Sequence, residues 1–484
     1  MLNHNNPSIN MTVVGYGQAG TRMVDHFAQV KDTEGNFVYN SLALNSNDGD
    51  LESLKYVPKE NRVSLKLGGL GKNPEKAVSI LESNEDARNK LRGFVREKVR
   101  PKDDLILFFA GLGGGTGTST IVKSVQEYVQ HYNRPIIEEE IKKVKETELF
   151  KKNPKKAQLA AFKKAEEKFK KIGIIVTLPV RSDGPDVLRQ VNDFANKLWE
   201  LAKNRANGIA FISFADNQYF YDRWKDDESI HNKFENYRNY ANHEIFTSIH
   251  ELNAATNSGN TDVIMDRQDF RRILLEGTGS LVIGKQVRDN REITNSTDLN
   301  NMFIQASQNS NLHDPINLEE KDEAGNVTYA KVYHIGLLAI VDQAITNKLG
   351  SAFLDESKDY VTQQLPLQGT VFTGYLNGKT GFNASTYAFY KTHGLPARLS
   401  KGLVDEFNEF KRKQQEIKFK TDTIDQIAAS NEDEDEGSDV DLSEILGGDF
   451  FDEHPQNDEE ENHSVDDDFY DDIDDIDPDD LKGI

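Results

Sequence analysis

The feature that most constrains this chain is a run of glycine and threonine between an apolar segment and a helical pattern. Residues 105–111 are apolar, residues 113–118 are Gly-Gly-Gly-Thr-Gly-Thr, and residues 120–129 have helical periodicity. A glycine turn at a helix start lets backbone N–H groups approach an anion, and the helix dipole adds to the attraction. The sequence therefore predicts a phosphate cradle, not a flexible linker, and it lacks the lysine of a P-loop. The candidate residues are Gly113, Gly114, Gly115, Thr116, Gly117 and Thr118.

A second glycine turn has the pattern Gly15-x-Gly17-x-x-Gly20, after an apolar segment and before a helical one. Alone, it matches the dinucleotide-binding fingerprint and predicts an NAD-type oxidoreductase. Such a site also needs an acidic residue at the end of the second strand to bind the ribose. Asn45-Ser46-Asn47 stands there instead, and a dinucleotide site would leave residues 113–118 without a role. The oxidoreductase is therefore the alternative hypothesis.

Composition limits the class of protein. The chain has 484 residues, of which 37% are apolar and none is cysteine. This composition predicts a large core and a reducing, cytoplasmic environment. The polar N-terminus does not have the pattern of a signal peptide, and the apolar runs are too short to cross a bilayer. We therefore expect no membrane partner.

The net charge of −23 is concentrated in one segment. Residues 431–484 contain 25 acidic residues and one lysine, a balance of −24 that leaves +1 for the other 430 residues. The body has no basic excess of the kind that binds nucleic acid directly. The acidic segment cannot form a core, so we expect it to be disordered.

Alternating strand and helix patterns predict an α/β fold with a parallel sheet. A lysine-rich segment interrupts them, with 12 Lys and 7 Glu between Ile136 and Lys171. It is either a solvated helical hairpin or a dedicated binding arm. The predicted organisation is a disordered N-terminus at 1–10, a nucleotide-binding domain at 11–230 with the insertion at 134–172, a long central helix at 231–258, a smaller α/β activation domain at 259–397, a C-terminal helix at 398–420 and a disordered acidic tail at 421–484.

Residues 113–118 resemble the signature loop of the tubulin/FtsZ superfamily, except that Ser119 stands where the family has a further glycine. The resemblance implies a GTPase that uses GTP or GDP with Mg²⁺, and it implies no metal held by protein ligands. Both glycine turns then bind phosphates. The first turn contributes Gly15, Gly17, Gln18, Ala19 and Gly20.

Two further loops resemble family elements near the phosphates. Asn45, Ser46 and Asn47 resemble the Asn-Thr-Asp that ends the second strand. Gly71 and Asn73 belong to a loop of glycines followed by Asn-Pro. This loop is shorter than in the family, and Ala77 replaces one of its glycines.

The resemblance also implies the side of the site that binds sugar and base. Pro179 lies in a segment similar to the sugar-side loop, and Asn217 lies in one similar to the base-binding turn. An aromatic and an asparagine on the following helix are expected at the base. Tyr240 and Asn242 are the chosen pair, and Tyr237 and Asn239 are the alternatives. Both tyrosines could instead pack in the core.

Asp266 and Asp269 precede a helical pattern with the spacing Asp-x-x-Asp. Asp266 has the residue type and position of a helix N-cap, and Asp269 is an acid in the first turn that interacts favourably with the helix dipole. The resemblance implies a second, compatible role. This loop would enter the nucleotide pocket of the next subunit, where its carboxylates orient the attacking water. Ile264 replaces an asparagine of the family. Head-to-tail contacts of this kind build filaments.

The C-terminal part is similar to the TubZ branch of the superfamily. Its motifs are Tyr387-Ala388-Phe389-Tyr390, Gly394-Leu395-Pro396 and an amphipathic helix with Leu403, Phe407 and Phe410. Members of this branch form cytoplasmic filaments that segregate or position plasmid or phage DNA through an adaptor. The apolar stripe would contact the neighbouring subunit, or it would pack on its own domain. The acidic tail would bind a DNA-binding adaptor protein, or it would act as a solvating brush. A division filament of the FtsZ type is the alternative.

Overall fold

The computed structural model describes residues 6–71, 73–257, 261–316, 318–321, 327–378 and 383–414. Its strands are β1 Met11–Tyr16, β2 Asn40–Asn45, β3 Arg62–Ser64, β4 Leu105–Gly111, β5 Lys171–Leu178, β6 Ile209–Asp216, β7 Ser280–Arg288, β8 Glu319–Lys321, β9 Val327–Tyr329, β10 Val332–Val341, β11 Val371–Asn377 and β12 Ala384–Thr392. Ten of them form one sheet in the order β11-β10-β12-β7-β6-β5-β4-β1-β2-β3, and β8 pairs with β9.

The half of the sheet that carries the glycine turns is parallel. Strand β1 pairs with β2 and β4, β4 pairs with β5, and β5 pairs with β6. Parallel strands covered on both faces have continuous apolar sequences, and β1 and β6 are buried at every position. The carboxyl ends of these five strands therefore lie along one edge, here called the carboxyl edge. Their first residues define the amino edge.

The predicted α/β fold with a parallel sheet is confirmed. The apolar segment at residues 105–111 is β4, and the helical pattern after the glycine run belongs to α5. The sequence did not predict β12, which runs antiparallel to both β7 and β10. Strand β6 also pairs with β7 between Ile212 and Ser280, so one sheet continues through both predicted domains.

The helices surround this sheet. They are α1 Gly17–Ala28, α2 Asp48–Glu52, α3 Pro74–Ser83, α4 Glu85–Lys98, α5 Gly115–Tyr128, α6 Arg134–Lys145, α7 Glu148–Lys152, α8 Pro154–Glu166, α9 Pro185–Lys203, α10 Asn217–Asp226, α11 Glu228–Lys233, α12 Tyr237–Ala255, α13 Arg267–Leu275, α14 Ser296–Gln308, α15 Gln343–Leu349 and α16 Ala352–Gln364. Within the described ranges, no helix combines the length and apolar character needed to span a membrane.

The lysine-rich insertion consists of helices that pack on one another. A π-helical turn, Val129–Asn133, continues α5 into α6, and α6 packs on α8. The break between the helices falls at Asn153, whose side chain caps α8 just before Pro154. The insertion, for which a helical hairpin and a binding arm were the two alternatives, contains three helices, α6, α7 and α8, in the structure.

The central helix α12 connects the two edges of the sheet. It starts at Tyr237, after the segments that follow β6. Near its end, the N–H of Ile9 donates to Asn253 Oδ1 at 2.8 Å, just before β1 begins. Its 19 residues span about 28 Å. One rigid element therefore joins the carboxyl edge to the amino edge.

The C-terminal segment begins with a π-helical turn, Arg398–Gly402, and residues 403–414 are helical. Leu403 is buried in the body, which ends at Glu406. Phe407 begins a separate unit, in which Lys413 pairs with Glu409 at 2.8 Å. The N-terminus predicted to be disordered at 1–10 is described from residue 6, and Ser8 and Ile9 are buried against the end of α12. The predictions for residues 1–5, for 415–420 of the C-terminal helix and for the tail at 421–484 lie outside the described residues.

A buried lysine ties helix α13 to the sheet. Lys391 in β12 is 1% exposed. Its Nζ donates to the carbonyls of Ala210, Leu274 and Gly277 at 3.1, 3.2 and 3.1 Å, and also to that of Glu276. Three of these carbonyls lie at the C-terminal end of α13, where the last helical carbonyls have no partner within the helix. Lys391 therefore satisfies and anchors the end of α13.

We expect Lys391→Met to lower the free energy of unfolding by about 3 kcal/mol, because several buried carbonyls lose their donor. Urea unfolding followed by circular dichroism measures this loss. Lys90→Met is the matched control. Lys90 forms an exposed pair with Asp86 at 2.6 Å, and its loss should cost less than about 1 kcal/mol. Equal effects of the two substitutions would contradict the anchoring role.

The same lysine gives stability a pH dependence. Burial lowers the pKa of Lys391 to about 7, whereas a lysine in the unfolded chain has a pKa of about 10.4. Between these values the unfolded chain binds more protons, so the free energy of unfolding rises with pH. We expect unfolding midpoints to rise from pH 7 to pH 9 in the natural chain, and this rise to be smaller in Lys391→Met. An unchanged slope in the variant would show that other groups cause it.

Candidate functional site

Two helix starts meet at the carboxyl edge. Helix α1 follows β1 directly, and α5 follows β4 after the turn at Leu112–Gly114. Gly17 has φ +64°, and a Cβ there would lie 2.8 Å from the backbone nitrogen of Gly117. A Cβ at Gly20 would lie 2.2 Å from the carbonyl oxygen of Phe109. Glycine at position 17 lets the first turns of α1 and α5 come together, and glycine at position 20 lets α1 pack closely on β4.

The starts of α1 and α5 differ from those of the neighbouring helices α2, α3 and α4. No side chain caps α1 or α5, and neither has an acidic residue in its first turn. By contrast, Asn47, Asn73 and Asn84 cap α2, α3 and α4 with their side chains. The first N–H groups of a helix require a partner, and adjacent helix dipoles favour an anion. The junction of α1 and α5 is therefore suited to bind phosphate groups.

The hydroxyls of the signature loop have different roles. Thr116 Oγ1 donates to Ser46 Oγ at 2.8 Å, which connects the loop to the end of β2. Thr118 Oγ1 instead donates to the carbonyl of Leu112 at 2.8 Å and is buried. Ser119, the departure from the family pattern, donates to the carbonyl of Thr116 at 3.2 Å inside α5. Thr118 therefore stabilises the turn through its side chain.

Helix α2, which follows β2, contains an acid that the sequence analysis missed. Asp50 accepts hydrogen bonds from Gln18 at 3.2 Å and from Asn45 at 2.9 Å. Asn45 Oδ1 also accepts from the N–H of Ser46 at 2.7 Å, and Asn47 caps α2. The first glycine turn and the second strand are thus joined through Asp50. In the sequence, the acidic run Asp48-Gly49-Asp50 directly after Asn47 could have indicated this acid.

The glycine loop before Asn-Pro lies against the signature loop. The N–H of Gly115 donates to the carbonyl of Gly71 at 2.9 Å, and Gly71 has φ +63°. Asn73 then caps α3, with Pro74 in its first turn. A Cβ at Gly113 would lie 3.1 Å from Cβ of Pro179, whereas one at Gly114 would meet nothing within 4 Å. The structure thus brings the predicted phosphate-side residues together and leaves space beside Gly114.

The two candidate base-stacking tyrosines have different surroundings. The Tyr240 ring packs between Phe220 and Phe234, with ring centroids 5.5 and 5.3 Å away. Tyr237, the first residue of α12, contacts Tyr221 at 5.5 Å. Burial raises the pKa of Tyr237, and Asp183 of the sugar-side loop adds to the shift. Both tyrosines are buried, at 4% exposure for Tyr240 and 8% for Tyr237, and Tyr240 has aromatic neighbours on two sides.

The remaining base-side residues are on neighbouring elements. Asn217 is the half-buried first residue of α10, whose N-cap is Asp216. Asn242 is half-buried one turn into α12, and Asn239 is exposed. Asp216 and Pro179 are joined by a third residue, Arg398, which sequence analysis also missed.

The two acids of the predicted hydrolytic loop form a capping box. Asp266 accepts from the N–H groups of Gln268 at 2.7 Å and Asp269 at 2.9 Å. Asp269 accepts from the N–H of Asp266 at 3.2 Å. Burial raises the pKa of Asp269, and this backbone hydrogen bond acts in the opposite direction. The capping interaction predicted from sequence is confirmed, and it fixes both carboxylates at the start of α13.

These acids lie at the amino edge. Arg271 of α13 pairs with Asp104 at 2.9 Å, and Asp104 immediately precedes β4. The signature loop follows the other end of β4, whose seven residues span about 20 Å. A single molecule therefore cannot bring Asp269 to its own phosphate cradle. Within the described ranges, no group of three or more His, Asp or Glu residues could hold a metal ion.

Comparison with known proteins gives relatives of one kind. The chain is 25% identical over 307 residues to the tubulin-like protein TubZ of Bacillus thuringiensis subsp. israelensis. This alignment covers 58% of this chain and 55% of TubZ. A solved GTPγS-form protofilament of TubZ from B. thuringiensis serovar israelensis has a TM-score of 0.61 at 18% identity, covering 87% of this chain and 96% of that chain. The chain is therefore related in sequence to TubZ, and it has the fold of the solved TubZ protofilament.

Other relatives of the chain match over shorter segments. The tubulin-like protein CetZ5 of Haloferax volcanii is 33% identical over 128 residues, 25% of this chain and 32% of that protein. The sequence match spans about half of TubZ and about a third of CetZ5. A GDP-bound CetZ1 monomer from H. volcanii has the same fold, with a TM-score of 0.56 at 16% identity over 83% of this chain and 99% of that chain. No family model matches the chain.

Proposed function

We propose that this tubulin-like protein is a GTPase that forms filaments and hydrolyses GTP at head-to-tail contacts between subunits. The observation that carries this proposal is the separation of two half-sites. The uncapped starts of α1 and α5 lie at the carboxyl edge, and Asp266 and Asp269 lie at the amino edge. Stacked copies would bring the amino edge of one subunit to the cradle of the next.

The cradle fits a nucleoside triphosphate. The first-turn N–H groups of α1 and α5 would bind phosphate oxygens, with Thr116 and Ser46 at the same edge. Mg²⁺ in nucleotide sites is held by phosphate oxygens, water and at most one or two carboxylates. When bound, the ion neutralises phosphate charge. Asp50 is a carboxylate that contacts two of the phosphate-side residues, Gln18 and Asn45.

Hydrolysis would then require the neighbouring subunit. Its Asp269 would accept a hydrogen bond from the attacking water and align it with the γ-phosphoryl group. The capping box holds this carboxylate in place, and Lys391 anchors the far end of the same helix. Because GTP would lie at the contact between two subunits, its hydrolysis to GDP would change the stability of the filament.

The base would stack on Tyr237, not on Tyr240. We expect Tyr237→Leu to weaken GTP binding about fivefold, the loss of one stacking contact of about 1 kcal/mol. Tyr240→Leu is the matched control, because it removes the ring of a core residue on the same helix. It should lower the unfolding midpoint and leave affinity unchanged. Titration with a fluorescent guanine nucleotide distinguishes them, and the reverse result would assign the base contact to Tyr240.

Assembly dependence tests the main proposal. GTP turnover per molecule should rise cooperatively above a critical protein concentration, and filaments should be visible by negative-stain electron microscopy at those concentrations. Phosphate release and sedimentation, measured on the same samples, should rise together. A turnover strictly proportional to protein from nanomolar concentration upward would contradict the proposal.

The filaments would serve to segregate or position plasmid or phage DNA in the cytoplasm. This finer role is supported by the similarity to a structure described as type III plasmid segregation TubZ, with a TM-score of 0.58 at 19% identity. The acidic tail would bind a DNA-binding adaptor, since a segment with 25 acidic residues attracts basic surfaces. A DNA-binding protein encoded beside this gene should sediment with filaments of the full chain but not with a chain ending at residue 420. Equal sedimentation with both would contradict the tail's role.

A further inference from the structure

A buried arginine joins three parts of the chain beside the proposed nucleotide pocket. Arg398 is 5% exposed. Its Nη1 donates at 2.6 Å both to the carbonyl of Pro179 and to Asp216 Oδ1. Its Nε and Nη2 donate to the two oxygens of Glu406 at 3.1 and 2.9 Å. One guanidinium thus contacts the sugar-side loop, the base turn and the C-terminal helical segment.

Further hydrogen bonds close this network into a ring. Glu406 Oε1 also accepts from Arg181 Nε at 2.9 Å. The backbone N–H of Arg181 donates to Gln218 Oε1 at 2.8 Å, and the N–H of Gln218 donates to Asp216 Oδ1 at 2.9 Å. Arg398, Asp216 and Gln218 are the buried members of this ring, whereas Arg181 is exposed. Buried polar groups that are hydrogen-bonded to one another fix the geometry of their surroundings, because each unsatisfied member is costly. The spacing between the sugar-side loop and the base turn therefore depends on this ring.

We propose that Arg398 is a positioning residue that couples the nucleotide pocket to the start of the C-terminal helical segment. The inference rests on the proposed guanine-nucleotide function. Arg398 touches the carbonyl of the predicted sugar-side residue and the acid directly before Asn217, the predicted base contact. The Nε and Nη2 atoms of the same guanidinium bind Glu406. A displacement of residues 403–406 would therefore change the geometry of the pocket. In return, nucleotide binding would restrain those residues.

Removing the guanidinium should therefore affect nucleotide binding. We expect Arg398→Met to weaken binding of a fluorescent GDP analogue roughly threefold to thirtyfold. Arg398→Lys should recover only part of this loss, because one ammonium lacks the planar fork that contacts Glu406 and Asp216 together. Arg205→Met is the matched control. Arg205 pairs with Glu166 at 2.7 Å beside the insertion, and its loss should leave affinity unchanged.

A coupling readout distinguishes positioning from simple stabilisation. Hydrogen exchange of a peptide covering residues 398–406 should slow on GDP binding in the natural chain, and this protection should be lost in Arg398→Met. Glu406→Gln should weaken GDP binding as well. If Arg398→Met does not fold, Arg398→Lys and Glu406→Gln decide the question.

Two outcomes separate the two claims. Affinities within twofold of the natural chain in every folded variant, with unchanged exchange protection, would overturn the role of Arg398. If the natural chain itself binds no guanine nucleotide, both the proposed function and the role of Arg398 that rests on it are contradicted.

Discussion

Asp269→Ala is expected to keep nucleotide affinity and to reduce GTP turnover at least about a hundredfold, the usual loss when a group that positions or activates water is removed. The physical reason is that the phosphate cradle remains complete while the neighbouring subunit no longer supplies the carboxylate. Filaments should form and persist because their GTP is not hydrolysed. Phosphate release and light scattering on the same samples measure both effects.

The capping role of Asp269 requires its own control. Helix α14 has a second capping box, in which Asn295 and Asp298 form the same reciprocal bonds. Asp298→Ala should therefore cost similar stability, about 1 kcal/mol, and leave turnover unchanged. Asp269→Asn keeps an acceptor for the N–H of Asp266 but loses the charge. The variant should therefore fold as stably as the natural chain and turn over GTP slowly. Full turnover in Asp269→Asn would contradict a carboxylate role in hydrolysis.

Gly114→Asp is expected to abolish GTP binding without harming the fold. Gly114 is the N-cap of α5 and has φ −113° and ψ 149°, an extended conformation that aspartate adopts readily. A Cβ there meets nothing within 4 Å. The new carboxylate would cap the free N–H groups of α5 and repel phosphate. GTP affinity should fall more than about a hundredfold, or roughly 3 kcal/mol, as titration with a fluorescent nucleotide would show.

Gly114→Asn is the control for this substitution, because its side chain has the same shape and capping ability without the charge. It should bind GTP more tightly than Gly114→Asp. The unfolding midpoints of both variants should equal or slightly exceed that of the natural chain, since Asn and Asp are good N-caps. Unchanged GTP affinity in Gly114→Asp would show that phosphate does not bind at the start of α5.

Features set by local sequence could be predicted, because neighbouring residues determine them. The glycine run 113–118 needs only a preceding strand and a following helix to form a turn with free N–H groups, and the structure has both. The Asp-x-x-Asp spacing at Asp266 forms a capping box through contacts within four residues. In both places local propensity and tertiary structure agree.

Features that depend on distant parts of the chain could not be predicted. Arg398 pairs with Asp216 across 182 residues, and no local pattern identifies such a partner. Tyr237 and Tyr240 are three residues apart on one helix, so their roles depend on how α12 rotates against Phe220 and Phe234. Strand β12 lies between two antiparallel partners, and its Tyr-Ala-Phe-Tyr sequence has no alternation of apolar and polar residues.

Mixing two inactive variants tests the shared site most directly. Asp269→Ala has an intact cradle and lacks the acid, and Gly114→Asp has the acid and lacks the cradle. If each pocket is completed by the next subunit, a mixture of the two should hydrolyse GTP although neither variant does so alone. A mixture that remains inactive, together with full turnover by natural subunits held apart below the assembly concentration, would contradict the account.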